Sequence, residues 1–380
     1  MHDLIVFAED FGGLPSSTQH LIRRLATDRK VVWINSIGLR QPTLSLIDGK
    51  RMINKCFRFG SNTDNNNRLL SETHDDKHNI QQVNLLTIPA PESPAARNVA
   101  KHMMLTQLRP LLEQLKLEKP ILWSSLPTAA DLCGHLGESA VVYYCGDDFS
   151  SLAGVDHKTV SEHEIKMATK ADLILTASEK LKLKFPGFKT QLLPHGVDTA
   201  LFSTPAARAK DLPSNKTTQK RPIAGFYGSI SNWLDYPLLE QVTEALPEWD
   251  FVFIGPIALS KNPLPKRDNV HYLGPRQHDK LPSYCQHWDV SMLPFKLTEQ
   301  IRSCNPLKLM EYMAAGQPVV TTDFPALAPY RQYVHCASGA SEFIDSLNKA
   351  KSAPKIPTSA VRQQSWDDRS QFLSWLMELL

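Results

Sequence analysis

The sequence predicts an α/β protein made of two doubly wound parallel sheets. Three observations carry that expectation. Short continuous apolar runs alternate with helix-period stretches almost from end to end, the pattern of parallel strands buried on both faces. The alternation falls into two sets, separated by a polar, proline-punctuated interval at residues 205–221. The 380 residues are 42% hydrophobic and 21% charged, enough apolar material for two globular cores. Disordered, collagen-like and coiled-coil chains are excluded by the same numbers.

The elements follow in order. Leu4-Ile5-Val6-Phe7-Ala8 reads as the first strand, closed by Glu9 and Asp10, with a helix predicted over 19–26 and a strand over 31–35. Residues 55–82, with Asn65-Asn66-Asn67 and Asp75-Asp76, read as an irregular solvated stretch. A helix over 99–115 precedes strands over 120–123 and 140–144. A helix over 162–170 then leads to a strand over 172–176. The linker at 205–221 is poor in large apolar residues, which sets a first domain at 1–204. The second domain, 222–362, offers strands over 223–227, 251–254, 270–273, 290–293 and 318–321, with helices over 238–245 and 307–314. Residues 363–380 read as a closing helix. Ser365 is its N-cap, Asp367 and Asp368 complement its positive end, and Phe372, Trp375, Leu376 and Leu379 form its docking face.

The formal net charge of +3 is too small for a dedicated nucleic-acid binder, so an acidic ligand would be met by local charge. The six cysteines, Cys56, Cys133, Cys145, Cys285, Cys304 and Cys336, lie far apart without zinc-site spacing and read as reduced thiols. The first residues lack a basic leader and a long apolar region, and no apolar run approaches the roughly 18 residues that span a bilayer. A cytoplasmic protein is expected.

Parallel sheets bind ligands beyond the carboxyl ends of their strands, where glycines permit close backbone approach and helix N-termini attract anions. Three segments fit that place. Gly12-Gly13 leaves the first strand; its amides could meet a phosphate, or serve only a tight turn. Gly228-Ser229 follows the strand at 223–227 and suits a diphosphate, whereas Gly225 lies inside the strand and suits packing. The third segment is Arg302-Ser303-Cys304-Asn305-Pro306-Leu307-Lys308-Leu309-Met310-Glu311 with its continuation to Val320. Asn305 reads as an N-cap, Pro306 as the first helical residue and Gly316 as the stop. Lys308 could reach a phosphate and Glu311 a ribose diol, or the two could form an ordinary surface pair.

The run from Asn305 to Val320 resembles the nucleotide-sugar signature of family 4-like glycosyltransferases with the B-type, twin-Rossmann fold. The likeness is to the branch that includes teichuronic-acid and other bacterial surface-polysaccharide enzymes. Pro194-His195-Gly196-Val197-Asp198, Tyr272-Leu273-Gly274-Pro275-Arg276, Leu281-Pro282-Ser283-Tyr284, Asp289 to Phe295 and Ser365-Trp366-Asp367-Asp368-Arg369 match as well. The resemblance implies an acceptor-binding first domain, a nucleotide-sugar-binding second domain and catalysis in a cleft between them. It further implies a terminal helix that crosses back onto the first domain. Glu311 would hold the ribose, while Asn305, Pro306, Leu307, Lys308, Gly228 and Ser229 would cradle the diphosphate, with Gly12 and Gly13 closing over it.

The chain departs from the pattern twice. Ser303 stands where many relatives carry a second glutamate, and residues 229–239 contain no base where relatives have an Arg…Lys pair. Leaving-group charge would then fall to Lys308, with Arg302 and Arg276 as further candidates. The resemblance also implies anomeric retention, no resident cofactor and no metal, with the nucleotide diphosphate sugar as co-substrate and a glycan or lipid-linked acceptor.

On the acceptor side, Asp147 and Asp148 end a strand and suit acceptor hydroxyls, proton removal, a metal or a loop cap. Ser124 and His20 are acceptor-side candidates, while His157 and His163 read as solvated helix residues. Residues 49–59 mix bases with large apolar groups and suit the surface of an anionic membrane. The expected activity is a hexosyltransferase of surface-polysaccharide synthesis. A nucleotide-sugar epimerase on the same fold and a silent scaffold homologue are the alternatives.

Overall fold

A computed structural model describes residues 1–13, 16–36, 74–75, 79–88, 91, 93–150, 157–213 and 221–380. The chain divides into two units, Met1–Pro194 with Arg369–Leu380, and His195–Asp368. In the first, β1 (Leu4–Phe7), β2 (Val31–Ile34), β3 (His74–Asp75), β4 (Ile80–Val83), β5 (Ile121–Ser124), β6 (Ala140–Cys145), β7 (Leu173–Thr176) and β8 (Thr190–Leu192) form one sheet. Its order is β3-β4-β2-β1-β5-β6-β7-β8, parallel except for the β3–β4 pair. β1, β2, β5, β6 and β7 are buried at every position, as continuous apolar strands covered on both faces should be. Helices α1 (Ser17–Leu25), α2 (Pro94–Leu115) and α3 (His157–Lys170) belong to this unit. α1 and α2 start on serine caps, Ser16 accepting from the Gln19 amide and Ser93 from that of Ala96.

The second unit holds β9 (Ile223–Tyr227), β10 (Asp250–Ile254), β11 (Val270–Gly274), β12 (Val290–Leu293), β13 (Val319–Thr322) and β14 (Val334–Ala337). All are parallel, in the order β11-β10-β9-β12-β13-β14. The sheet grows one way from β9 to β11 and the other way from β12 to β14. The strand order therefore reverses between β9 and β12, where a ligand crevice is expected at the carboxyl ends. The first sheet reverses likewise between β1 and β5. Helices α4 (Tyr236–Ala245), α5 (Leu307–Ala314), α6 (Ala340–Ala350) and α7 (Trp366–Met377) complete the main elements. The core centres on Trp249, Trp288, Tyr312, Phe226, Phe251 and Phe253. Gly225 serves packing: a Cβ there would lie 1.8 Å from the Trp288 ring.

Four expectations are corrected. The stretch 55–82 is not wholly irregular, because His74–Asp75 and Ile80–Val83 pair at the sheet edge. The units divide at 194/195 rather than 204/205: the Val197 amide donates to the Gln364 carbonyl at 2.8 Å, Val197 accepts from the Trp366 amide, and Phe202 lies in the second core. α7 does start on Ser365, whose hydroxyl accepts from the Asp368 amide at 3.0 Å. Its buried face, however, is Trp366, Ser370, Leu373, Leu376 and Met377; of the expected docking residues only Leu376 is buried, while Phe372, Trp375 and Leu379 are exposed. Finally, His163 is not solvated. It is 2% exposed, with Arg97 3.4 Å from its Nδ1, and burial followed by that guanidinium lowers its pKa. No helix of the described residues is long and apolar enough to cross a membrane.

Candidate functional site

The reversal point of the second sheet is crowded by backbone and one side chain. Gly228 follows β9 with φ +140°, and Gly255 follows β10 with φ +139°. A Cβ on Gly255 would lie 2.0 Å from the Gly228 carbonyl oxygen, and one on Gly228 would lie 2.1 Å from Lys308 Cε. Glycine is required at both positions by conformation, and at Gly255, which meets backbone, by space as well. Gly228 donates its amide to the Ile254 carbonyl at 2.8 Å, which knits the two strand ends together. Lys308, in the first turn of α5, thus lies along the Gly228 backbone.

α5 begins differently from the sequence reading. Pro306, at ψ 93°, is the cap rather than the first helical residue, and no side chain caps the helix. Asn305 stands one position too early to act as N-cap, because a proline with extended ψ delays the helix to Leu307. Gly316 does stop it, at φ +78° just beyond the last turn. Asn305, Leu307 and Lys308 are partly exposed, whereas residues 309–314 are buried. The first turn therefore reaches the surface.

Glu311, one turn beyond Leu307, is 4% exposed. Its Oε2 accepts from the Tyr227 hydroxyl at 2.8 Å and its Oε1 from His278 Nε2 at 2.6 Å. Burial, then the Glu311 charge, pushes the Tyr227 phenol well above its ordinary pKa, so it stays a donor. The backbone amide of Tyr227 donates to the Tyr312 hydroxyl at 3.0 Å, which ties β9 to α5. Burial works against the charged form of His278, but the hydrogen bond and charge of Glu311 prevail, and its pKa is raised.

The two candidate arginines of this unit have partners. Arg276 donates to the Asp211 carboxylate at 2.5 Å, the Tyr284 hydroxyl at 2.8 Å and the Pro275 carbonyl at 2.9 Å. Arg302 is surface-exposed and pairs with Glu299 at 3.3 Å. Ser229 is partly exposed beside Gly228, and Ser303 is buried.

The first unit treats its candidates otherwise. The Gly12 amide donates to Gln19 Oε1 at 3.2 Å and the Gly13 amide to the Asp10 carbonyl at 3.1 Å, so both are engaged within the turn. Ser124 is fully buried and closes its own turn, donating to the Leu126 carbonyl at 2.6 Å; it does not line an open site. Asp148 accepts from Lys184 at 2.7 Å and from Ser150, which makes it a loop staple. Asp147 is exposed, and His20 is partly exposed on α1. Residues 49–59 lie outside the described residues. A hollow of about 530 Å³ beside α2 is lined by ion pairs, Asp131 taking both Arg97 and Lys166. Another of about 490 Å³ at the ends of β13 and β14 shares no residue with the Gly228–Glu311 group. Among the described residues no group of three or more His, Cys, Asp or Glu converges as a metal site.

Residues 221–349, which contain Gly228, His278, Lys308 and Glu311, match the family model "Glycosyl transferases group 1". This segment is a group 1 glycosyltransferase domain. The Bacillus subtilis (strain 168) protein TuaH, described as a putative teichuronic acid biosynthesis glycosyltransferase, is 28% identical over 255 residues, 60% of this chain. The match spans 63% of the length of that relative. Among solved structures, HepE of Anabaena in complex with UDP and glucose superposes with a TM-score of 0.66 at 12% identity, covering 100% of both chains. Sucrose-phosphate synthase from Thermosynechococcus elongatus gives a TM-score of 0.68 at 14% identity, covering 100% of this chain and 99% of the other. These likenesses establish the twin-Rossmann, B-type fold.

Within the group 1 domain, sequence reasoning missed Tyr227, His278 and Gly255. Tyr227 reads as one more strand aromatic, and its hydroxyl contact with Glu311 is visible only once β9 and α5 are packed. His278 follows the Gly274-Pro275-Arg276 motif, and that proximity was the available signal.

Proposed function

We propose that the chain is a nucleotide-sugar-dependent glycosyltransferase of hexosyl type. In this reading it passes the sugar to a glycan or lipid-linked glycan during surface-polysaccharide synthesis, with retention and without a divalent metal. One observation carries the reading: Lys308 lies on the positive-φ backbone of Gly228 at the sheet's reversal point, with a buried carboxylate, Glu311, on the next turn of the same helix. A diphosphate at the start of α5 would meet Lys308 and the positive end of the helix. Charge developing on the departing diphosphate is then met by groups already in place, and such preorganised stabilisation is the main source of rate enhancement expected in this kind of reaction. Glu311 would accept from the pentose hydroxyls, with Tyr227 fixing its carboxylate. Gly228, Ser229, Asn305, Pro306 and Leu307 would line the diphosphate. Arg276 and Arg302 would assist only by leaving their present carboxylates. Asp147, exposed just after β6, is the proposed acceptor-side group, with Gly12, Gly13, His20 and Asp148 as further candidates for the acceptor or diphosphate side. The proposed location is the cytoplasm, with residues 49–59 against the inner membrane face.

The bound nucleotides of the HepE structures make UDP and UDP-glucose the first probes. Calorimetry should detect binding of at least one nucleotide diphosphate or its sugar conjugate, with E311Q weakening it. Slow hydrolysis of a bound nucleotide sugar should accompany it and fall in K308A. Unaltered affinity in E311Q would falsify the pentose assignment.

A further inference from the structure

A carboxylate that takes two pentose hydroxyls needs both oxygens within reach of the ligand. Glu311 is 4% exposed, and each oxygen already holds a protein donor. The two donors are unequal. Tyr227 is 3% exposed, and its ring is fixed by Trp288, Tyr312 and Phe202 at centroid distances of 6.1, 4.8 and 6.4 Å. It cannot leave without opening the core. His278 sits on the short turn His278–Lys280 after β11, its side chain is 23% exposed, and its ring meets Phe202 edge-on at 5.3 Å. Of the two, only the imidazole can swing outward.

We propose that His278 occupies the place of a pentose hydroxyl on Glu311 Oε1, and that donor binding exchanges the imidazole for that hydroxyl. This inference rests on the nucleotide-sugar reading above and assigns that site a positioning residue that acts through Glu311. A protonated imidazole holds the carboxylate by a charge-assisted bond, so displacement is hardest when His278 is charged. Among the described residues, the charged groups acting most strongly on the ring are Glu311 from α5, Asp198 at the cap of the turn Thr199–Ser203, and Asp279 on its own turn. All three are carboxylates and favour the proton. Binding that frees the ring from Glu311 lowers its proton affinity and releases a proton. Donor affinity should therefore rise with pH, through a step at or above the ordinary histidine value of about 6.5.

The test is calorimetric titration of wild type, H278A and H278Q with UDP-glucose or whichever nucleotide binds, from about pH 6 to about pH 9. Profiles are compared between proteins, so that protonation of the ligand cancels. At about pH 6, H278A should bind about tenfold more tightly than wild type, and by about pH 9 the gap should shrink towards that of H278Q, as expected for linkage to one proton. H278Q can still donate to Glu311 but does not titrate, so it should give a level profile of intermediate affinity. Should H278A fold poorly, H278Q alone decides: a step parallel to that of wild type overturns the proposal. H278A binding as weakly as wild type at low pH overturns it too. A wild type that binds without any pH step sinks this inference and leaves the donor assignment standing. One that binds no nucleotide sinks both.

Discussion

Each sheet sends its first strand into a glycine-bearing turn at the point where strand order reverses, yet the two turns use glycine for opposite ends. After β1, Gly12 adopts φ +77° with nothing within 4 Å of a would-be Cβ, and the neighbouring amides are engaged by Gln19 and Asp10. That glycine permits a conformation. After β9, Gly228 is pressed between Lys308 and, through its carbonyl, Gly255. Those glycines permit contact. Identical topology therefore yields a self-contained connection in one unit and a close approach of backbone to a cationic side chain in the other.

Substitutions can break or sharpen this contrast. The largest effect is expected for G255A, where a Cβ 2.0 Å from the Gly228 carbonyl meets backbone that cannot yield. It should lower unfolding free energy by about 3 kcal/mol, read from the denaturant midpoint. An unchanged midpoint would show that the strand ends are loosely stacked. Next, K308A should cut turnover about a hundredfold with little change in nucleotide affinity, the usual scale for losing one preorganised charge at a leaving group. If affinity falls and turnover does not, Lys308 is a binding group only. E311Q keeps the shape of the buried group but removes its charge, and should weaken nucleotide-sugar binding about tenfold. G12A is the mildest: about 1 kcal/mol of strain from a positive φ, and no change in donor affinity. A G12A chain that lost donor binding would erase the distinction between the turns.

The central strands were legible because they are short runs rich in apolar and β-branched residues; Leu4–Phe7, Val290–Leu293 and Val319–Thr322 fall within a residue of their predicted bounds. The outer strands Ile80–Val83, Thr190–Leu192 and Val334–Ala337 were not. Each is short and carries polar residues at half-buried or exposed positions, so no apolar run marks it. In α7 the apolar period was right, but of the four residues expected to dock only Leu376 is buried. Trp366 and Leu373 face inward and Trp375 outward, a choice set by the surface the helix meets. The same holds at the candidate site. Lys308 and Glu311 were readable from their place in a helix start, but the burial of Glu311 and its histidine partner depend on contacts across 33 and 84 residues of chain.

The boundary between the units cuts through α7, since Trp366–Asp368 groups with the second unit and Arg369–Leu380 with the first. In the first, Arg29 donates to the Ser374 hydroxyl at 2.9 Å and Met377 is fully buried. The second unit is therefore, topologically, an insertion into the first. During synthesis the opening unit waits, missing a piece of its own interior, until residues 195–368 have emerged. Removing Arg369–Leu380 should accordingly injure the first unit, most of which precedes the second in the chain, and spare the second.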